Sequence, residues 1–138
     1  METCKDSTCE IVVARLDGHT GAMLTSELIP AAVTDSRSLL VVLHGLGDSM
    51  DGWRWLPNEL RLPWLNYLFV NAPDDYYGGF SWYDIQGDSD PGIRRSRLLL
   101  TELLDTQRAV GFPSEQTALL GFSQGCLCLL YTSPSPRD

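Results

Sequence analysis

Three short apolar runs, each halted by a turn, set the limits on what this chain can fold into. Ser38–Leu43 reads Ser-Leu-Leu-Val-Val-Leu and stops at His44-Gly45, Tyr67–Val70 reads Tyr-Leu-Phe-Val and stops at Asn71-Ala72-Pro73, and Thr117–Leu120 runs into Gly121. The first two are apolar almost without interruption rather than alternating, so they read as strands covered on both faces, as parallel sheets require. The second and third runs are separated by an amphipathic helix over 91–110. Asp90 serves as its N-cap, Pro91 occupies its first position, and Ile93, Leu100, Leu103, Leu104 and Gln107 share one stripe before Gly111 and Pro113 end it. A shorter helical piece, complicated by Pro57, lies between Trp53 and Leu62. Strand, helix, strand, helix, strand is the order of an α/β fold with a mostly parallel sheet, whose sites lie beyond the carboxyl ends of its strands. Ahead of this core, Glu10–Leu16 reads as a first strand and Thr20–Ile29 as its hairpin partner. Residues 71–90 read as one long loop rich in Asp, Gly and aromatics, a length that often marks function.

A length of 138 residues with 43% hydrophobic content suits one domain with a moderate core. The net charge of −8 argues against general binding to nucleic acid or anionic membranes, both of which need clustered positive charge. The one basic cluster, Arg94, Arg95 and Arg97, reads as the solvated face of the long helix. No apolar run approaches the roughly 18–20 residues of a membrane span. Residues 1–9 form a polar leader without a hydrophobic signal core, so the expected location is the cytoplasm. Cys4, Cys9, Cys126 and Cys128 have neither zinc-knuckle spacing nor the look of a disulfide framework, and read as thiols with no metal to hold.

The chemistry concentrates in Gly121-Phe122-Ser123-Gln124-Gly125, which follows a strand and precedes a helix. That is the setting of a Gly-x-Ser-x-Gly nucleophile elbow. Ser123 must take a strained backbone so that its hydroxyl projects above the sheet, and the flanking glycines remove side chains that would collide across so tight a turn. The amide of Gln124, opening the next helix, points where an oxyanion would form. His44-Gly45-Leu46-Gly47-Asp48 follows the first buried strand, where such a fold supplies its other oxyanion donor. A phosphate loop is the rival reading of this segment; it lacks the third glycine, and Asp48 would repel phosphate. His44, ending a buried strand, reads as a brace for the loop rather than as a general base.

Leu43-His44-Gly45-Leu46-Gly47-Asp48, Asn71-Ala72-Pro73, Ser81-Trp82-Tyr83-Asp84-Ile85 and Gly121-Phe122-Ser123-Gln124-Gly125 occur in the order and spacing of one family. Over roughly Ser38–Leu127 the chain resembles the phospholipase/carboxylesterase group of α/β-hydrolases, which includes the acyl-protein thioesterases. The resemblance implies the α/β-hydrolase fold, with Ser123 as nucleophile and the amides of Leu46 and Gln124 as the oxyanion hole. It places Trp82 near the acyl-binding mouth, with a loop anchor packed on the core as the alternative, and marks Asp84 as a loop aspartate rather than the triad acid. The implied substrate is a small-molecule or acylated ester or thioester, with no cofactor. Tyr76, Tyr77, Phe80, Trp82 and Tyr83 suggest an apolar acyl or aryl group. A noncatalytic hydrolase-like binding domain competes with this reading but fits poorly with an intact elbow and oxyanion loop. A dienelactone-hydrolase-like relative would call for Cys where Ser123 stands.

In such hydrolases the acid and then the histidine follow the serine along the chain, and neither His19 nor His44 has that position. The expectation is therefore the amino-terminal half of the fold: a leader over 1–9, a partial domain over 10–127, and no activity without the missing residues. Such a chain would fold poorly, with the Ser123 strand as an unpaired apolar edge. Residues Cys128–Asp138 read Cys-Leu-Leu-Tyr-Thr-Ser-Pro-Ser-Pro-Arg-Asp. Ser-Pro-Ser-Pro ends a helix and packs against nothing, and the whole string resembles the translation of a transposase-type sequencing adapter. The nucleotide sequence behind Cys128–Asp138 is expected to carry the adapter's codons; other codons there would exclude that origin.

Overall fold

The computed structural model describes residues 24–132. The expected strand Glu10–Leu16 and the start of Thr20–Ile29 lie outside them. Four strands form the main sheet: β1 (Ser26–Ile29), β2 (Ser38–Leu43), β3 (Leu65–Val70) and, in the order used below, β6 (Thr117–Gly121). Their order across the sheet is β1-β3-β2-β6, with β2 parallel to both β3 and β6 and β1 antiparallel to β3.

The register decides where a site can form. Leu43 pairs with Val70 on one side and with Gly121 on the other, so the three parallel strands end level. The turns that stop them, 44–48, 71–73 and 122–124, therefore gather at one rim of the sheet.

The apolar runs are explained by cover on both faces. Leu39, Val41 and Leu43 of β2 face one core with Leu68 and Val70, while Val42 faces the other with Leu65, Tyr67 and Phe69. This is the two-residue period of a strand with neither face left to water. The first core is closed by Leu99, Leu100 and Leu103 of helix α2 (Asp90–Ala109), and the second by Leu56 of helix α1 (Leu56–Leu60) and the half-buried Trp53. Asn66 sits inside β3 because all its polar atoms are engaged. It accepts from the Ala31 amide at 2.7 Å and donates to the carbonyls of Ser36 and Ser38 at 3.1 and 2.9 Å.

Three expectations shift. Pro57 lies in the first turn of α1, where a missing N–H costs nothing, so it starts the helix instead of interrupting it. Ser89 takes the N-cap position of α2 and Asp90 becomes its first residue. The loop 71–90 contains a hairpin of β4 (Asp74–Tyr76) and β5 (Gly79–Ser81), joined by Tyr77-Gly78 with φ of 44° and 88°. Positive φ at both turn residues matches a type I′ hairpin, whose twist suits the strands it joins. Helix α3 runs from Gln124 to Thr132. Cys128 stands one turn after Gln124 on the same helical face and is wholly buried in the first core.

Arg94 and Arg95 of α2 face outward in ion pairs with Asp90 (3.4 Å) and Asp74. Such exposed pairs contribute little stability. Among the described residues β6 pairs with β2 alone, leaving its other edge open, and no helix is long and apolar enough to cross a membrane.

Candidate active site

Ser123 joins β6 to α3 with φ of 57°, a left-handed backbone that costs a residue with a side chain roughly 1–2 kcal/mol. The turn is tight enough to dictate its neighbours. A Cβ on Gly125 would lie 2.6 and 2.7 Å from the carbonyl oxygens of Leu43 and His44, and one on Gly121 would lie 2.8 Å from the backbone of Cys126. The elbow also presses against the loop after β2, since a Cβ on Gly45 would stand 3.2 Å from Ser123 Cβ. Ser123 itself is exposed.

Two backbone amides beside it are uncommitted. Among the described residues, the N–H groups of Leu46 and Gln124 meet no protein acceptor. Gln124 is the first residue of α3, so no intrahelical carbonyl is available to it. Neighbouring amides are used. Gly47 donates to Phe80 O at 2.9 Å and Phe80 to Asp48 O at 3.0 Å, which ties the glycine loop to β5, and Asp48 donates to Gly45 O at 3.2 Å.

Behind the rim runs a buried chain of hydrogen bonds. The Gln124 side chain accepts from the Trp82 amide (2.7 Å) through Oε1 and donates to the Tyr83 carbonyl (2.8 Å) through Nε2. Trp82 Nε1 donates to the His44 carbonyl at 2.8 Å, and Ser96 Oγ donates to the Trp82 carbonyl at 2.6 Å. Trp82 is 0% exposed and its ring lies 5.6 Å from that of His44. Its indole thus ties the loop that carries it to the end of β2. Removing one member of such a chain leaves its buried partner unsatisfied, at a cost of about 1–3 kcal/mol.

The His44 ring accepts from the Ala72 amide through Nε2 and meets the Gly45 carbonyl through Nδ1, at 3.0 and 2.7 Å. Burial pushes its pKa below the ordinary 6.5, against the opposing pull of the Gly45 carbonyl and the Asp48 charge. With both nitrogens engaged, it braces the loop and is not placed to act as a base. Asp84 is exposed and accepts from the Gln86 amide at 2.9 Å, a local turn contact. Burial pushes the Cys128 thiol up to about 12. His19 lies outside the described residues, and among the described residues no three His, Cys, Asp or Glu side chains cluster as metal ligands would.

An aromatic row beside the elbow escaped the sequence reading. Phe122, 58% exposed, lies 6.0 Å from Trp53, which stacks at 5.4 Å on the half-exposed Trp55. Of the aromatics singled out from sequence, Trp82 and Tyr83 are buried, while Tyr76 and Tyr77 stand in the hairpin by Gly47. The signal available was position: Phe122 precedes Ser123 directly, and both tryptophans follow the glycine loop.

Against known proteins, the sequence model of the Phospholipase/Carboxylesterase family matches residues 25–137. Acyl-protein thioesterase 1 of Schizosaccharomyces pombe is 35% identical over 123 residues, covering 80% of this chain and 54% of that protein. Among solved structures, esterase PE8 superposes with a TM-score of 0.68 at 30% identity, over 80% of this chain and 57% of its own. Zea mays acyl-protein thioesterase 2 superposes at 0.59 with 26% identity, over 78% and 50%. The chain thus spans about half the length of the relatives it matches.

The left-handed turn can be weighed directly. In urea unfolding of the full-length protein, Ser123→Gly is expected to be more stable than Ser123→Ala by about 1 kcal/mol, because glycine alone carries no Cβ penalty there. Equal stability of the two variants would mean that residue 123 is not left-handed in solution.

Proposed function

Because the chain belongs to the phospholipase/carboxylesterase family of α/β-hydrolases, we propose that the full-length protein is a serine hydrolase that cleaves carboxylesters or thioesters. The observation that carries this reading is the left-handed Ser123, held against Gly45 beside the two uncommitted amides of Leu46 and Gln124. Ser123 Oγ attacks the substrate carbonyl carbon and passes its proton to a histidine. The carbonyl oxygen takes the developing negative charge and receives the N–H groups of Leu46 and Gln124. Collapse of this intermediate expels an alcohol or thiol, which recovers the proton, and leaves an acyl-Ser123 ester. Water, deprotonated by the same histidine, then releases the acid and restores the serine. No step calls for a metal or an organic cofactor.

The histidine and its orienting acid belong to the part of the protein that follows Ser123 in the family's order. His44 is not their substitute, since both its nitrogens are occupied. Losing a triad base costs several orders of magnitude in rate, so the 138-residue chain by itself is inactive. An apolar acyl group is favoured by the exposed Phe122 and Trp55, joined through the half-buried Trp53, beside the serine, and the thioesterase names among the relatives favour thioesters within that class.

A fluorophosphonate probe tests the reading. The full-length protein is expected to be labelled on Ser123, and the Ser123→Ala variant to lose the label. A folded full-length protein that takes no label at this residue would instead be a noncatalytic hydrolase-like binding domain.

A further inference from the structure

The peptide unit that presents the Leu46 amide is the one whose carbonyl His44 holds. A peptide is planar and trans, so its C=O and N–H point in opposite directions. Fixing the Gly45 oxygen against the buried ring therefore turns the Leu46 N–H the other way, away from the core.

The partners also fix which nitrogen of the ring is protonated. The Ala72 N–H can only donate, so Nε2 at 3.0 Å accepts, and Nδ1 carries the single proton and donates to Gly45 O at 2.7 Å. The rings of Trp82 and Phe80 lie 5.6 and 6.3 Å away, and Trp82 also grips the His44 carbonyl. Among the described residues Asp48 is the one charged group acting on the ring. A second proton, on Nε2, would set donor against donor at the Ala72 amide inside the core, and the ring could not keep both contacts.

We infer that His44 is a positioning residue whose neutral Nδ1–H tautomer aims the Leu46 amide, and that protonation of His44 disassembles the oxyanion hole. This rests on the reading of Ser123 as nucleophile. It adds a second acid-sensitive group to the enzyme, separate from the triad histidine. Burial favours the neutral ring, so the brace is complete above the ordinary pKa of 6.5 and is lost as pH falls through the lower folded value.

The test is the pH dependence of kcat/KM for p-nitrophenyl butyrate in the full-length enzyme, over the range in which its circular dichroism is unchanged. A triad base alone gives an acid limb of slope about one; with His44 contributing, the limb steepens toward two at its lower end. His44→Asn retains an amide donor for the Gly45 carbonyl but cannot titrate, and is expected to restore unit slope. His44→Ala, which leaves the Gly45 carbonyl only the Asp48 amide at 3.2 Å, should lower kcat roughly 10- to 100-fold with KM within about twofold. A unit slope in the wild type, unchanged in His44→Asn, would overturn the inference. So would ring ¹⁵N chemical shifts placing the proton on Nε2 at neutral pH, a measurement that needs no variant. Failure of the underlying reading looks different: Ser123→Ala would then keep its turnover.

Discussion

Gln124 and Trp82 hold each other, and through them three loops distant in sequence share one place. The Gln124 side chain takes the Trp82 amide and gives to the Tyr83 carbonyl, while the Trp82 indole reaches across to the carbonyl of His44. Each contact is buried, so each would leave an unsatisfied polar group if its partner moved. The level ends of β2, β3 and β6 bring these loops to one rim, but the rim alone would leave them independent. The hydrogen-bond chain makes the glycine loop, the β5 exit and the elbow a single unit, which carries the two amides that meet no acceptor among the described residues.

Strain at the elbow is tolerable because its surroundings leave no alternative. Gly125 packs directly on the carbonyls that end β2, and Gly121 on the start of α3. Cys128 and Gln124, one turn apart, bury the same face of α3 beneath Ser96 and Trp82. A relaxed backbone at Ser123 would redirect α3 and withdraw that face from the core, a loss greater than the roughly 1–2 kcal/mol of a left-handed residue.

What could be read from the sequence was what short-range patterns encode. Ser38–Leu43 and Tyr67–Val70 declare buried strands through nearly continuous apolarity, α2 declares itself by its stripe, and the elbow by two glycines whose spacing leaves little else possible. The role of His44 as a brace followed from its place at the end of a buried strand. Less legible was whatever depends on partners far along the chain. The β4–β5 hairpin has too few β-formers to stand out, and it exists because its Phe80 bonds to Gly47 and Asp48. The side chain of Gln124 attracted no notice beside its own amide, although it is the clamp. The burial of Trp82 depends on partners at His44, Ser96 and Gln124 that its place in a loop does not reveal. The row of Trp53, Trp55 and Phe122 has only its positions to mark it in sequence, because β2 and β6 must pair before the rings meet.

On the proposed function, the amides of Leu46 and Gln124 receive the charge that develops at the substrate oxygen. A crystal structure of the full-length protein phosphonylated at Ser123 measures this directly. The phosphonyl oxygen is expected within about 2.7–3.1 Å of both amide nitrogens. A labelled Ser123 whose phosphonyl oxygen faces solvent, or bonds to other donors while these amides stay unoccupied, would contradict it.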